Sequence, residues 1–243
     1  MEPSNAIPSI SVVLPAFNEE RTLEQSVVAT VGAFEELGLD TEVLIVDDYS
    51  SDATGEIANA LEARFSTVRT FHHSENQGIG GAFRTGMENA QRDYILLIPV
   101  DNPLDVIEIE TFVERMKICD VVVGVRANRV GYSPFALFIS FMYNRILVPL
   151  LFNVGISDVN WIQAYRRSLF EEKVLKIKFT GIFFLVEVLI RAKRAHLVIV
   201  EVPSKMHRRL YGKPTNTKLI TICATFRDMI KFYYEIHFGS GQL

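Results

Sequence analysis

Carboxylates, a glycine-rich turn and a pair of arginines recur along this chain, each directly after a short apolar run. Glu19 ends Val13-Leu14-Pro15-Ala16-Phe17-Asn18-Glu19, and Asp47-Asp48 follows Val43-Leu44-Ile45-Val46. Asn76-Gln77-Gly78-Ile79-Gly80-Gly81 comes next, then Asp101 after Ile95-Leu96-Leu97-Ile98, then Arg126 and Arg129 after Val121-Val122-Val123-Gly124. An ionised carboxylate only accepts, so it can take hydrogen bonds from a base N–H or a ribose hydroxyl. Hard carboxylate oxygens also suit Mg²⁺ or Mn²⁺. Planar guanidinium groups grip phosphate oxygens two at a time. Taken alone, Asp47-Asp48 reads as a strand end running into a helix cap; it is the ordered set that carries chemistry.

Some alternatives are excluded by spacing. The glycine run is not a Gly-x-Gly-x-x-Gly loop, because Phe83 stands where the last glycine would be, and it follows the third apolar run rather than the first. It reads as a turn that lets backbone approach a ligand closely. His72-His73 has no third ligand at metal spacing and reads as structural or solvent-facing. No Ser/His/Asp or Cys/His set stands out.

Regular elements must position these groups. Apolar, β-branched runs predict strands at about 10–14, 42–46, 67–72, 94–98 and 120–124. Helices are expected from Glu20 to Leu37, from Ser51 or Asp52 to about Phe65, and over about 80–91. Such alternation predicts an α/β fold with a mostly parallel sheet and right-handed crossovers. Every cluster then falls just past the C-terminal end of a strand, the edge where open α/β sheets bind ligands.

The 243 residues suffice for one sizeable α/β core, and 49% hydrophobic with 22% charged residues excludes both a disordered chain and a polytopic membrane protein. Cys119 and Cys223 lack metal spacing and read as reduced, buried thiols of a cytosolic protein. Met1-Glu2-Pro3-Ser4-Asn5 shows no leader pattern. The net charge of -4 hides an asymmetry: residues 1–125 carry 22 acids and 7 bases, residues 126–243 carry 7 acids and 18 bases. The basic half is either a solvated surface or one that faces anions such as a phosphate, a diphosphate or an acidic membrane. Nucleic acid is not expected, since no aromatic-interleaved basic motif accompanies the charge.

Two later segments are strongly apolar. Phe135 to Val154 has transmembrane length, but Asn144, Arg145 and Pro149 interrupt it. A central arginine costs about 2.5–3.5 kcal/mol on insertion scales, so a buried helix is expected rather than a span, with an interfacial or dimer-forming helix as the alternative. Leu219 to Phe238 reads as an amphipathic helix lying on the protein or at a membrane surface.

In this order, the fragments resemble the family 2 glycosyltransferases of the GT-A fold, close to the polyprenyl-phosphate sugar synthases. The resemblance runs from about Ser9 to Lys213. It implies a Rossmann-like GT-A domain over 1–215 with a C-terminal amphipathic extension over 216–243 in the same compact unit. It also implies transfer of a sugar, with inversion, from a nucleotide-diphosphate donor to a polyprenyl phosphate. Pro15, Phe17 and Glu19 would line the nucleoside, Asp48 with Asp47 behind it would hold base or ribose, and Asn76 and Gly78 match the family's Asn-x-Gly. Arg126 and Arg129 fall at its Gly-x-Arg. Arg209, Gly212 and Lys213 fit its late Arg-x-x-Gly segment, which would close over the diphosphate and acceptor phosphate.

The family's Asp-x-Asp, which holds Mg²⁺ or Mn²⁺, is altered here. Pro99 takes the first Asp position, Asp101 the second, and Pro103 that of a following Gln; Asn102 or Asp105 are candidate substitutes. Asp101 then binds the ion with diphosphate oxygens and water, basic residues take over part of its role, or catalysis has been lost and a nucleotide-sugar-binding scaffold remains. The intact remainder of the site favours the first two together. Asp158 sits where the family carries an acidic residue near the acceptor. It would deprotonate a saccharide hydroxyl, or, with an already ionised lipid phosphate, orient Arg126 or the late loop. Trp161 is expected to pack rather than stack on sugar. A peripheral position on the cytoplasmic face of a membrane, or on a membrane protein, follows from the resemblance and the apolar segments; a homo-oligomer is left open.

Overall fold

The computed structural model describes residues 7–129, 131–206 and 219–238. The chain runs β1 (Ile10–Ala16), α1 (Leu23–Glu36), β2 (Thr41–Asp47), α2 (Thr54–Arg64), β3 (Val68–His72), α3 (Ile79–Asn89), β4 (Tyr94–Leu97), α4 (Val106–Met116) and β5 (Val121–Arg126). It continues through α5 (Pro134–Phe141), a π-helical stretch (Met142–Leu147), α6 (Val148–Phe152), β6 (Gln163–Arg166), α7 (Ser168–Glu171), α8 (Phe184–Arg194), β7 (Ile199–Ser204) and α9 (Leu219–Phe238).

Seven strands form one sheet in the order β3-β2-β1-β4-β6-β5-β7, parallel throughout except for β6, which is antiparallel to both neighbours. Successive side chains of a strand point to opposite faces, so β1 feeds two cores. Val13 joins Leu44, Phe83, Ile95 and α8 on one face; Val12 and Leu14 join Val43, Ile45, α1 and α4 on the other. Cover on both faces is why β1 and β2 read as continuous apolar runs. The chain winds outward from β1 to β3 and then returns to place β4 on the other side of β1. That reversal opens a crevice at the C-terminal strand ends.

All five expected strands are present. β6 and β7 were not anticipated: β6 has four residues, two of them Gln and Arg, and carries no local period. α2 starts at Thr54 rather than at Ser51 or Asp52, because Asp52 Oδ1 accepts the Thr54 N–H at 3.0 Å and spends its side chain on a turn before the helix. Cys119 is buried as expected, but Cys223 is exposed on α9.

The apolar segment departs most from expectation. Pro134–Phe152 is one helical run, long and apolar enough to cross a bilayer by length and composition, yet only 22% buried. It is therefore not the buried helix foreseen. α5 buries no residue, and Phe135, Phe138 and Phe141 stand 56–66% exposed. The π stretch lies just before Pro149, whose ring removes a donor and crowds the preceding turn, and a wider turn relieves that crowding. Asn144 turns inward, donating to Ser140 O at 2.8 Å and accepting the Val159 N–H at 3.0 Å, while Arg145 points out. α9 packs Met229 and Phe232 into the α8 core and leaves Ile220, Tyr234 and Phe238 exposed.

Candidate active site

The loops after β1 and β2 are stitched together. Asn18, in the left-handed region at φ 55°, accepts the Ser51 N–H at 2.9 Å, and its own N–H donates to Ser50 Oγ at 2.9 Å. The Glu19 N–H donates to Thr54 Oγ1 at 2.7 Å, and Thr22 Oγ1 donates to the Glu19 carboxylate. Pro15 is half-buried, and Phe17 and Tyr49 leave exposed rings on these two loops.

Asp47 and Asp48 lie side by side and buried at the end of β2. Asp47 accepts the Ser50 N–H at 3.1 Å and faces His72 Nδ1 at 3.1 Å. Asp48 accepts the Gln77 N–H on Oδ1 and the Gly78 N–H on Oδ2, both at 2.8 Å, and Oδ1 lies 2.7 Å from His73 Nδ1. Asn76 Nδ2 donates to the Asp48 carbonyl at 3.1 Å. Asp48, Asn76 and Gly78 are thus one unit. The two histidines, set apart from the site by sequence spacing, are the partners of the two aspartates. The parallel register, which pairs Asp47 with His72, brings them there, and the strand order was the signal that could have found them.

The glycine turn approaches protein closely. Gly78 has φ 75°, and a Cβ on it would meet Thr180 O at 2.7 Å; on Gly80 it would meet Phe179 O at 2.5 Å. The Gly80 N–H donates to Thr180 O at 2.7 Å. The contact these glycines permit is with the 179–180 main chain, rather than only with a ligand as their sequence suggested.

Asp101 is half-buried on the loop after β4. Neither substitute ligand is uncommitted. Asn102 is buried and donates to Lys205 O at 3.2 Å. Asp105 caps α4 by accepting the Glu108 N–H at 2.8 Å, and its other oxygen meets Lys205 Nζ at 2.8 Å. Among the described residues no group of three His, Cys, Asp or Glu could hold a metal ion. The hard carboxylate oxygens of Asp101 are of a kind that suits Mg²⁺ or Mn²⁺.

A second cluster lies at the end of β5. Asp158, fully buried, takes Arg126 in a fork: Nε to Oδ2 and Nη2 to Oδ1, both 2.6 Å. Arg129 Nη2 reaches Asp158 Oδ2 at 3.2 Å and Nη1 donates to Ser140 Oγ on α5 at 2.6 Å. Arg126 also donates to Tyr132 Oη at 2.8 Å and lies 4.8 Å over the Trp161 ring. Burial works against the Arg126 charge, but the bonds and charge of Asp158, together with Tyr132, hold its pKa above the usual arginine value. Burial, and then the charge of Arg126, lower that of Arg129. Trp161 packs in the core and donates to Ser204 Oγ at 3.0 Å, as expected of a packing residue. Arg209, Gly212 and Lys213 lie outside the described residues.

An open, mostly parallel sheet with carboxylates, a glycine turn and an arginine cluster at its C-terminal strand ends defines the class: an α/β protein of GT-A architecture. Residues 11–173 match the model of Glycosyl transferase family 2, and the chain belongs to that family; it is a glycosyltransferase. It is 32% identical over 201 residues to glycosyltransferase AglD of Haloferax volcanii, covering 80% of this chain and 32% of that one. It is 27% identical over 217 residues to undecaprenyl-phosphate mannosyltransferase of Micrococcus luteus, covering 84% of this chain and 86% of that one. The chain thus spans about a third of the first relative and most of the second. In fold it is similar to glucosyl-3-phosphoglycerate synthase from Mycobacterium tuberculosis, solved with Mg²⁺ and UDP, at TM-score 0.68 and 19% identity over 97% of this chain and 81% of that one. The same enzyme with Mn²⁺ and UDP-glucose gives TM-score 0.66 and 20% identity over 94% and 78%.

Proposed function

We propose that this glycosyltransferase moves a sugar from a nucleotide diphosphate to a polyprenyl phosphate, with inversion, at the cytoplasmic face of a membrane. The observation that carries the reading is the Arg126–Asp158–Arg129 cluster joined through Ser140 to the exposed apolar helix Pro134–Phe152. Two guanidiniums against one carboxylate leave a net positive site at the foot of a lipid-compatible surface. The undecaprenyl-phosphate mannosyltransferase relative supports the same acceptor class.

In this reading the donor lies over the loops carrying Pro15, Phe17, Glu19, Asp47, Asp48, Asn76 and Gly78. Asp48 has three donors on its carboxylate, which leaves one acceptor position on Oδ2 for a base N–H or ribose hydroxyl. A phosphate monoester loses its second proton near pH 6, so its oxygen attacks the anomeric carbon without a protein base. The bond to the nucleoside diphosphate breaks from the opposite face, and the diphosphate leaves with the electron pair. Asp158 has both oxygens engaged, which suits holding Arg126 and Arg129 better than taking a proton from a saccharide hydroxyl. Arg126, Arg129, Arg209 and Lys213 would hold the phosphates in line. Asp101 would hold Mg²⁺ or Mn²⁺ together with diphosphate oxygens. Such an ion, when bound, offsets charge that builds on the leaving group.

The test is titration of UDP, GDP and their sugars with Mn²⁺, Mg²⁺ or EDTA, followed by a transfer assay on a short polyprenyl phosphate. The expected result is cation-dependent binding of one nucleotide and a glycosylated lipid phosphate as product. Transfer only to a saccharide hydroxyl overturns the acceptor, and nucleotide binding without any turnover leaves a scaffold.

A further inference from the structure

We infer that His73 is a positioning residue of the donor site: its imidazole fixes the Asp48 carboxylate, which fixes the Asn76–Gly78 turn. This rests on the reading of the Asp48 edge as the donor site.

His73 is held from both sides. Its side chain is 5% exposed, Nδ1 lies 2.7 Å from Asp48 Oδ1, and Nε2 lies 2.9 Å from Thr85 Oγ1 on α3. A carboxylate that takes two main-chain N–H bonds has only acceptor positions to offer, so Nδ1 carries the hydrogen. Nε2 pairs with the Thr85 hydroxyl, which can donate or accept, so both ring nitrogens are engaged.

The ring supplies something the two amides cannot. Rotation of an aspartate about χ2 is broad and weakly directed, so local preference does not set the plane of the carboxylate. Gln77 and Gly78 each hold one oxygen, but both lie on the turn that is itself to be held. His73 ties Oδ1 to α3, a rigid element anchored in the core through Phe83 and Ala82. The order of support runs α3, Thr85, His73, Asp48, turn. The one acceptor position left on Oδ2 is then aimed by the imidazole. His72 serves no such purpose, because Asp47 holds Ser50 rather than the glycine turn.

Two near-isosteric substitutions separate the contacts. His73→Asn places an amide N–H near the position of Nδ1 and keeps the Asp48 contact. His73→Gln places an amide group, able to donate or accept, near Nε2 and keeps only Thr85. Removing a charge-assisted hydrogen bond from a buried carboxylate should weaken UDP or GDP binding about tenfold in the Gln variant. In that variant the Gln77 and Gly78 amides should exchange hydrogen about tenfold faster, while sheet amides such as Val13 and Val43 keep their rates. The Asn variant, which keeps the Asp48 contact but loses the tie to α3, should fall between wild type and the Gln variant in both readings. Equal behaviour of Asn and Gln, or faster exchange spread evenly over the sheet, overturns the proposal. If wild type binds neither nucleotide, the donor reading fails by itself, and amide exchange still decides the role of His73.

Discussion

At the scale of the residue, the Asp158 carboxylate shows how one buried charge organises a site. Two arginines and a main-chain N–H converge on it, and it is fully enclosed. Removing one partner of a buried pair leaves the other charge uncompensated, which costs about 3–5 kcal/mol. Asp158→Asn should lower unfolding stability by that order in a urea titration. Adding Arg126→Met should cost less than the sum of the two single changes, because the more deeply buried of the two stranded guanidiniums is then gone and the partly exposed Arg129 remains. Additive losses would mean that the pair is not a coupled unit. Asp158 and Arg126 could each be picked from the sequence by motif, but their bond joins residues 32 apart, and no local pattern encodes it.

At the scale of the element, the glycine turn is constrained by tertiary packing. The Gly80 N–H and the space above its Cα are both taken by the 179–180 main chain, which is itself held where Glu187 accepts the Lys178 and Phe179 N–H groups at 2.9 and 3.1 Å. Backbone cannot rotate away as a side chain can. Gly80→Ala should therefore destabilise by about 1–3 kcal/mol, the usual cost of overpacking, and lower the melting temperature. It should also weaken nucleotide binding, because Asp48 and the turn would shift together. An unchanged melting temperature would show that the 179–180 segment yields freely. Three glycines in four residues announce a tight turn here, but not what the turn approaches.

At the scale of the whole molecule, apolar surface and charge are segregated. Phe135, Phe138 and Phe141 on α5, Leu150 on α6, and Ile220 and Phe238 on α9 are all exposed. Exposed apolar side chains repeated along one helix, as the three phenylalanines of α5 are, offer a surface for interaction. The half of the chain that carries it also carries 18 of the 25 basic residues, which suits an anionic membrane. Phe138→Ser combined with Phe141→Ser should reduce co-sedimentation with anionic vesicles several-fold and leave the melting temperature unchanged, since α5 buries nothing in the core. Equal sedimentation of variant and wild type would remove this helix from any membrane contact.

Sequence alone determined the first five strands, their mostly parallel arrangement and the edge at which the polar clusters gather. Strand period, β-branching and turn chemistry are local properties, and right-handed crossovers then fix the edge. It also marked Asp48, Asn76, Gly78, Asp101, Arg126 and Asp158 as candidates. Tertiary structure decided which of them touch. β6 enters between β4 and β5 because that slot offers unpaired strand edges on both sides, although four residues with two polar ends announce no strand. His73 becomes a partner of Asp48 because β2 and β3 run side by side, and the apolar helix stays exposed because the sheet already has cover on both faces. Pairings between residues 25 or more apart depend on how the layers close, and local residue order carries no record of that closure.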